Sequence, residues 1–194
     1  MTDINSTADR ITTMAAGESS PVDADIQRLT AVVELIFFAY RDFTGEADAV
    51  LKKFDFGRAH HRVLHFVTWR PGLRVADLLE ILKITKQSLA RVLKQLVDRG
   101  FILQEAGEAD RRERRLYPTA AGRRLAEQLR ALQTRRIAGA LGEIEPPAQA
   151  AALQFLLALT TSVNRSAIEQ SLANAGIGVP EPANAIGRDR SRTK

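Results

Sequence analysis

Val75-Ala76-Asp77-Leu78-Leu79-Glu80-Ile81-Leu82, then Thr85-Lys86-Gln87-Ser88-Leu89, then Asp110-Arg111-Arg112-Glu113-Arg114-Arg115 follow one another between Val75 and Tyr117, and their order decides the fold. In the first segment apolar residues return at 75, 78, 79 and 82, the spacing that lines one face of a helix. Thr85 is a good N-cap for a second helix over Lys86 to Arg99. That helix buries Leu89, Val92, Leu93 and Leu96 on one side and stops at Gly100. Its other side carries Lys86, Gln87, Arg91 and Lys94. Side chains near such an N-terminus reach base edges in a DNA major groove, and cations further along sit at phosphate distance. Gln87, Ser88 and Arg91 are therefore the candidate readers, with Lys86, Lys94 and Arg115 as phosphate contacts.

Beyond Gly100, Phe101-Ile102-Leu103 and Arg115-Leu116-Tyr117 read as two short strands flanking a polar middle that contains Gly107, a hairpin with an exposed tip. Residues 110 to 124 hold six arginines against one Asp and one Glu, a local net charge of +4. A guanidinium at such a tip suits the negative minor groove, and Asp110 is spaced to hold the fork of Arg112, the residue expected to insert. Arg111 and Arg114 complete the basic tip.

The run from Gly57-Arg58-Ala59-His60-His61-Arg62 through Val75 to Leu79, Lys86 to Leu89, the Asp110-x-Arg112 wing and Thr119-Ala120-Ala121-Gly122 resembles the MarR family of bacterial transcriptional regulators, over roughly residues 25 to 170. The resemblance implies a fold that is mainly α with a small β-hairpin wing, a winged helix-turn-helix domain plus a helical dimerisation region, in a homodimer whose second motif helix reads a palindromic operator and whose wing arginine, here Arg112 beside Asp110, enters the minor groove; a repressor is the expected function. Two positions depart from the family pattern. Arg74 stands where a capping Thr or Ser is common, although Asp77 can serve the same helix start. Pro118 stands where a Leu usually precedes the Thr, and a turn accommodates it.

Composition agrees. The chain of 194 residues is 45% apolar, enough for one core, and carries a net charge of +5, which suits a polyanionic partner. Clustering in the wing weighs more than net charge. The absence of cysteine removes disulfides, thiolate metal sites and a thiol redox switch. No segment approaches a membrane span or a signal core, so a cytoplasmic location is expected.

Residues 1–22 and 174–194 read as disordered tails, the second basic. Between them, residues 23–56 form an N-terminal dimerisation helix, with Ile26, Leu29, Val33, Ile36, Phe37, Tyr40 and Phe43 at helical spacing and a bend or stop at Gly45. Residues 57–118 are the DNA-binding domain. Residues 119–173 supply C-terminal dimerisation helices, one ending near Gly142 and one running from about Ala148 to Leu172. Their apolar surface exceeds what a small helix-turn-helix unit covers. A second copy is the simplest cover, with packing inside one subunit as the alternative.

His61 and His65, four apart, can share a helix face, whereas His60 points about 100° away. A packing role is favoured over a metal or haem site, and no metal or cofactor is expected. The resemblance also implies a small aromatic or anionic effector at the junction of dimer helices and DNA-binding lobe, where Tyr40, Phe43, His60, Arg62 and Trp69 are candidates; ordinary packing is the competing role for each. No phosphate-binding Gly-rich loop, nucleophile elbow or paired zinc-ligand motif supports an enzyme. A nonspecific architectural DNA-binding protein is the alternative function, and a protein-interaction module a third.

Overall fold

The computed structural model describes residues 21–107, 111–174 and 176. The tails expected at 1–22 and 174–194 fall almost wholly outside them, as does Asp110. The first helix, α1 (Pro21–Lys52), continues through Gly45 without the expected stop. The chain divides into two units after Phe43.

In the first unit, α1 exposes Val22, Ile26, Leu29, Val33, Leu35, Ile36, Phe37, Phe38 and Tyr40. Apolar residues occupy several sides of this helix and are exposed among the described residues. Local polar contacts, Arg28 with Asp25 at 3.2 Å and the Arg41 guanidinium 4.9 Å above the Phe38 ring, decorate it.

The second unit begins with the last turns of α1 and continues with α2 (Arg58–Trp69), β1 (Leu73–Arg74), α3 (Val75–Leu82), α4 (Lys86–Asp98), β2 (Ile102–Ala106), β3 (Arg114–Pro118), α5 (Ala120–Gly142), α6 (Pro146–Ala158) and α7 (Ser162–Asn174). Its core follows the helical stripes read from sequence. Ala47 and Leu51 of α1, Val63, Leu64 and Val67 of α2, Leu78 and Leu82 of α3, Leu89, Val92, Leu93 and Leu96 of α4, and Leu125 and Leu129 of α5 form one buried cluster with Ile102 and Leu116 of the sheet.

Start and stop signals set the boundaries. Thr85 caps α4 by accepting the Ser88 amide at 3.1 Å, and Thr119 caps α5 by accepting the Gly122 amide at 3.0 Å. After α4, Gly100 takes φ +74°, the left-handed conformation that lets the Phe101 amide return to the Leu96 carbonyl at 2.8 Å. Pro146 and Pro147 open α6, where their missing amides cost no helix hydrogen bond.

The sheet has three antiparallel strands in the order β1-β3-β2. The hairpin is the one expected, with Leu103 opposite Tyr117 and Glu105 opposite Arg115, but its strands are longer than the sequence suggests. β1 was not foreseen: two residues pair Leu73 with Leu116 and Arg74 with Arg115. The single helix expected from Ala148 to Leu172 is corrected to two, α6 and α7, separated at residues 159–161, where the Thr160 amide and hydroxyl both donate to the Leu157 carbonyl.

Candidate nucleic-acid interface

One face of α4 is buried and the other is exposed, as its composition requires. Lys86, Gln87, Ser88, Arg91 and Lys94 are all exposed, opposite Leu89, Val92, Leu93 and Leu96. The N-terminal turn is held firmly. Besides accepting the Ser88 amide, Thr85 donates its hydroxyl proton to Ser88 Oγ at 2.9 Å. Lys94 reaches forward one turn to Asp98 at 2.5 Å, an exposed pair of the kind that contributes about 0.2–1 kcal/mol and opens readily.

The position of α4 on the scaffold rests on contacts that the sequence did not reveal. His60 of α2 accepts the Gly57 amide on Nδ1 at 3.1 Å, which leaves its Nε2–H to donate to Gln95 Oε1 of α4 at 2.6 Å. Its ring also stacks on Phe56, with centroids 4.6 Å apart. Arg99, just past α4, donates to the Phe54 carbonyl and lies 3.2 Å from the Asp55 carboxylate. These contacts tie the end of the exposed helix to the end of α1.

Beside α4 lies the wing. Arg111 and Arg112 are exposed at its tip, and Arg114 turns toward the Arg111 carbonyl at 2.5 Å. The Gly107 amide donates to the Glu113 carbonyl at 3.0 Å, closing the loop. Because Asp110 is not among the described residues, the expected Asp110–Arg112 pair falls outside them too. At the wing base, Arg74 makes a two-pronged contact with Asp77, at 2.8 and 2.5 Å, and Glu113 lies 2.8 Å from Arg115 and 3.9 Å from Arg74. The Arg74 side chain holds the Asp77 carboxyl below the ordinary carboxylate range through its hydrogen bonds and its charge. Asp77, the acidic residue in the first turn of α3, thus engages both the guanidinium and the backbone amide of Arg74, the N-cap residue, whose own side chain supplies no cap.

The effector candidates separate. Arg62 and Trp69 line a cleft of about 510 Å³ with Phe66, Arg70, Ile81, Leu159, Thr160, Thr161 and Ile168. Arg62 donates to the Leu82 carbonyl at 3.2 Å, and the Arg70 guanidinium stands 4.8 Å above the Trp69 ring. His60 is not in this lining; its two ring nitrogens are engaged with Gly57 and Gln95. Tyr40, exposed, and Phe43, half-buried, belong to the first unit.

His61 and His65 titrate below their ordinary range, chiefly because burial disfavours the charged ring, with mutual repulsion adding at His61 and Asp48 opposing it. No group of three His, Asp or Glu side chains able to hold a metal ion occurs among the described residues.

Residues 54–113, from the motif helices to the loop before β3, match the MarR family. Over 133 residues the chain is 42% identical to the HTH-type transcriptional regulator PetP of Rhodobacter capsulatus, covering 69% of this chain and 80% of that protein. The chain belongs to the MarR family. Structures of MarR-family regulators share the fold. FabT of Streptococcus pneumoniae, solved in complex with DNA, superposes with a TM-score of 0.61 at 15% identity, covering 76% of this chain and 99% of that one. A SlyA-like regulator from Listeria monocytogenes gives 0.56 at 19% identity, covering 76% and 97%. MarR proteins of this kind are transcriptional regulators and not enzymes. Among the described residues, no helix is long and apolar enough to cross a membrane.

Proposed function

We propose that this MarR-family chain binds double-stranded DNA sequence-specifically as a homodimer, repressing transcription from a palindromic operator and releasing it when a small aromatic anion binds. The observation that carries the reading is the exposed polar face of α4, capped at Thr85 and flanked by the arginine-rich wing tip. Gln87, Ser88 and Arg91 supply amide, hydroxyl and guanidinium groups where a helix N-terminus can meet base edges, while Lys86 and Lys94 suit phosphates and Arg112 the minor groove.

Two copies are supported by uncovered apolar surface. α1 exposes Phe37, Phe38, Ile36 and their neighbours, and in the second unit Ile137, Leu141, Phe155, Leu156 and Leu159 are also exposed. Exposed apolar surface of this kind marks an interface. Two-fold symmetry then dictates a palindrome with half-sites about one DNA turn, roughly 34 Å, apart. For the effector, the Arg62–Trp69 cleft offers an apolar wall and cationic side chains.

The deciding experiment selects bound fragments from a random duplex pool at about 150 mM salt and titrates the winner against a scrambled duplex. The expected result is an enriched palindrome bound at least ~1,000-fold more tightly than the scramble. Tight, salt-sensitive binding to every sequence would instead favour a nonspecific architectural protein.

A further inference from the structure

We propose that Glu113 is a positioning residue of the wing: with Asp77 it keeps Arg74 and Arg115 folded onto the protein and away from DNA phosphates, so that sequence-independent affinity stays low. The inference rests on the DNA-binding reading above.

The register poses the problem that Glu113 solves. Arg74 and Arg115 are directly opposite each other on adjacent antiparallel strands, and like charges placed there repel. Glu113 stands immediately before β3, and its carboxylate meets both guanidiniums, Oε1 at 2.8 Å from Arg115 and Oε2 at 3.9 Å from Arg74. Oε1 is shut off from solvent and receives no well-directed hydrogen bond, so its contact with Arg115 is ionic. Removing the cation would strand a buried charge, which fixes the side chain in place. Asp77 takes the rest of Arg74 through two hydrogen bonds.

Two carboxylates thus occupy two guanidiniums at the root of a wing whose tip arginines, Arg111 and Arg112, are exposed. A phosphate is the group that competes best for a guanidinium fork held by a carboxylate. Each cation freed to meet a phosphate steepens the salt dependence of binding by about 0.9 in log K against log salt and strengthens binding to every sequence alike. Arg115, expected from the sequence to contact phosphate, is on this proposal held back together with Arg74, which leaves discrimination to α4 and the wing tip.

The test measures affinity for the selected operator and for a scrambled duplex from 50 to 200 mM salt. Glu113→Gln is expected to steepen the scramble slope by about 0.9, an added ~3-fold change across that range, and to lower the operator-to-scramble ratio; Glu113→Asp restores both. Asp77→Asn, at a partly exposed site where folding is less at risk, should steepen the slope in the same direction. Adding Arg115→Gln to Glu113→Gln should remove the increment, because the freed cation is its source. A fall in affinity at unchanged slope in both single variants would overturn the proposal and leave Glu113 a purely structural brace. Wild-type protein without salt-dependent affinity for either duplex would overturn the DNA-binding reading itself, a result separable from the first because it needs no variant.

Discussion

Gly122 lies against the Phe101 carbonyl so closely that a Cβ on Gly122 would stand 2.1 Å from that oxygen. The same carbonyl accepts the Thr119 amide at 3.1 Å, so the start of α5 is docked onto the segment that leaves α4. Gly122→Ala should therefore destabilise the fold by about 1–3 kcal/mol or more, by overpacking against backbone that cannot yield. Gly139→Ala, on the same helix with nothing within 4 Å, should be neutral or stabilising by up to ~1 kcal/mol. Urea unfolding of the two variants checks the contrast, and equal effects would show that the close approach is not maintained in solution.

Thr85→Ala removes the cap of α4 and should cost about 1 kcal/mol of stability. Ser88 loses two partners at once, so operator affinity should fall more than stability does. Calorimetry alongside DNA titration checks this; affinity unchanged at a reduced Tm would separate the cap from recognition.

Gln87→Ala should cost about 1–3 kcal/mol at one operator position and relax preference there, whereas Lys94→Ala should weaken all sequences alike and flatten the salt slope by about 0.9. The Lys94–Asp98 pair does not prevent this, because both groups are well exposed and screened. Uniform losses in both variants would show that Gln87 does not read bases.

Both His61 and His65 have pKa values below 6.5 in the folded chain. Between those values and 6.5 the unfolded chain binds more protons than the folded one, so stability is fully present above about 6.5 and declines as pH falls through that window. Melting temperature measured from pH 7.5 to 5.5 should drop, and the His61→Gln/His65→Gln variant should show a flatter profile. An identical slope in the variant would assign the decline to other groups.

Trp69 is the only tryptophan and lines the candidate effector cleft. Titration with a small aromatic carboxylate such as benzoate should change its fluorescence and lower operator affinity over the same concentration range. A change in fluorescence without release of DNA would show that the cleft binds but does not couple; no change up to ~10 mM would exclude this ligand class at any affinity of note.

Local chemistry made much of this legible. Thr85, Gly100 and Thr119 announce helix ends, and the apolar spacing of α4 gives its buried face directly, because both signals act within a few residues. β1 was not legible, since two residues carry no periodicity and their pairing with β3 depends on tertiary register. The break between α6 and α7 is not legible because no Gly or Pro marks it and Leu153, Leu156, Leu157, Thr160, Val163 and Ala167 keep a helical spacing across it, so spacing alone reads as one helix. At the candidate site, the exposed cations and amides could be named from sequence, but not who holds them. The Arg74 contact with Asp77 invites a capping interpretation at three residues' separation, while its tie to Glu113 crosses nearly forty residues. His60 is a candidate for the effector junction from its place in the chain, and its contact with Gln95 of α4, thirty-five residues away, is not legible in the sequence.

The hydroxyl pair at the start of α4 also sets a polarity. Where the Thr85 hydroxyl donates to Ser88 Oγ, one lone pair of that oxygen is occupied and the Ser88 proton can turn outward. Whatever comes against the first turn of α4 meets a hydroxyl biased toward giving a proton: a purine N7, a guanine O6 or a thymine O4 fits it, and an exocyclic amine fits it less well.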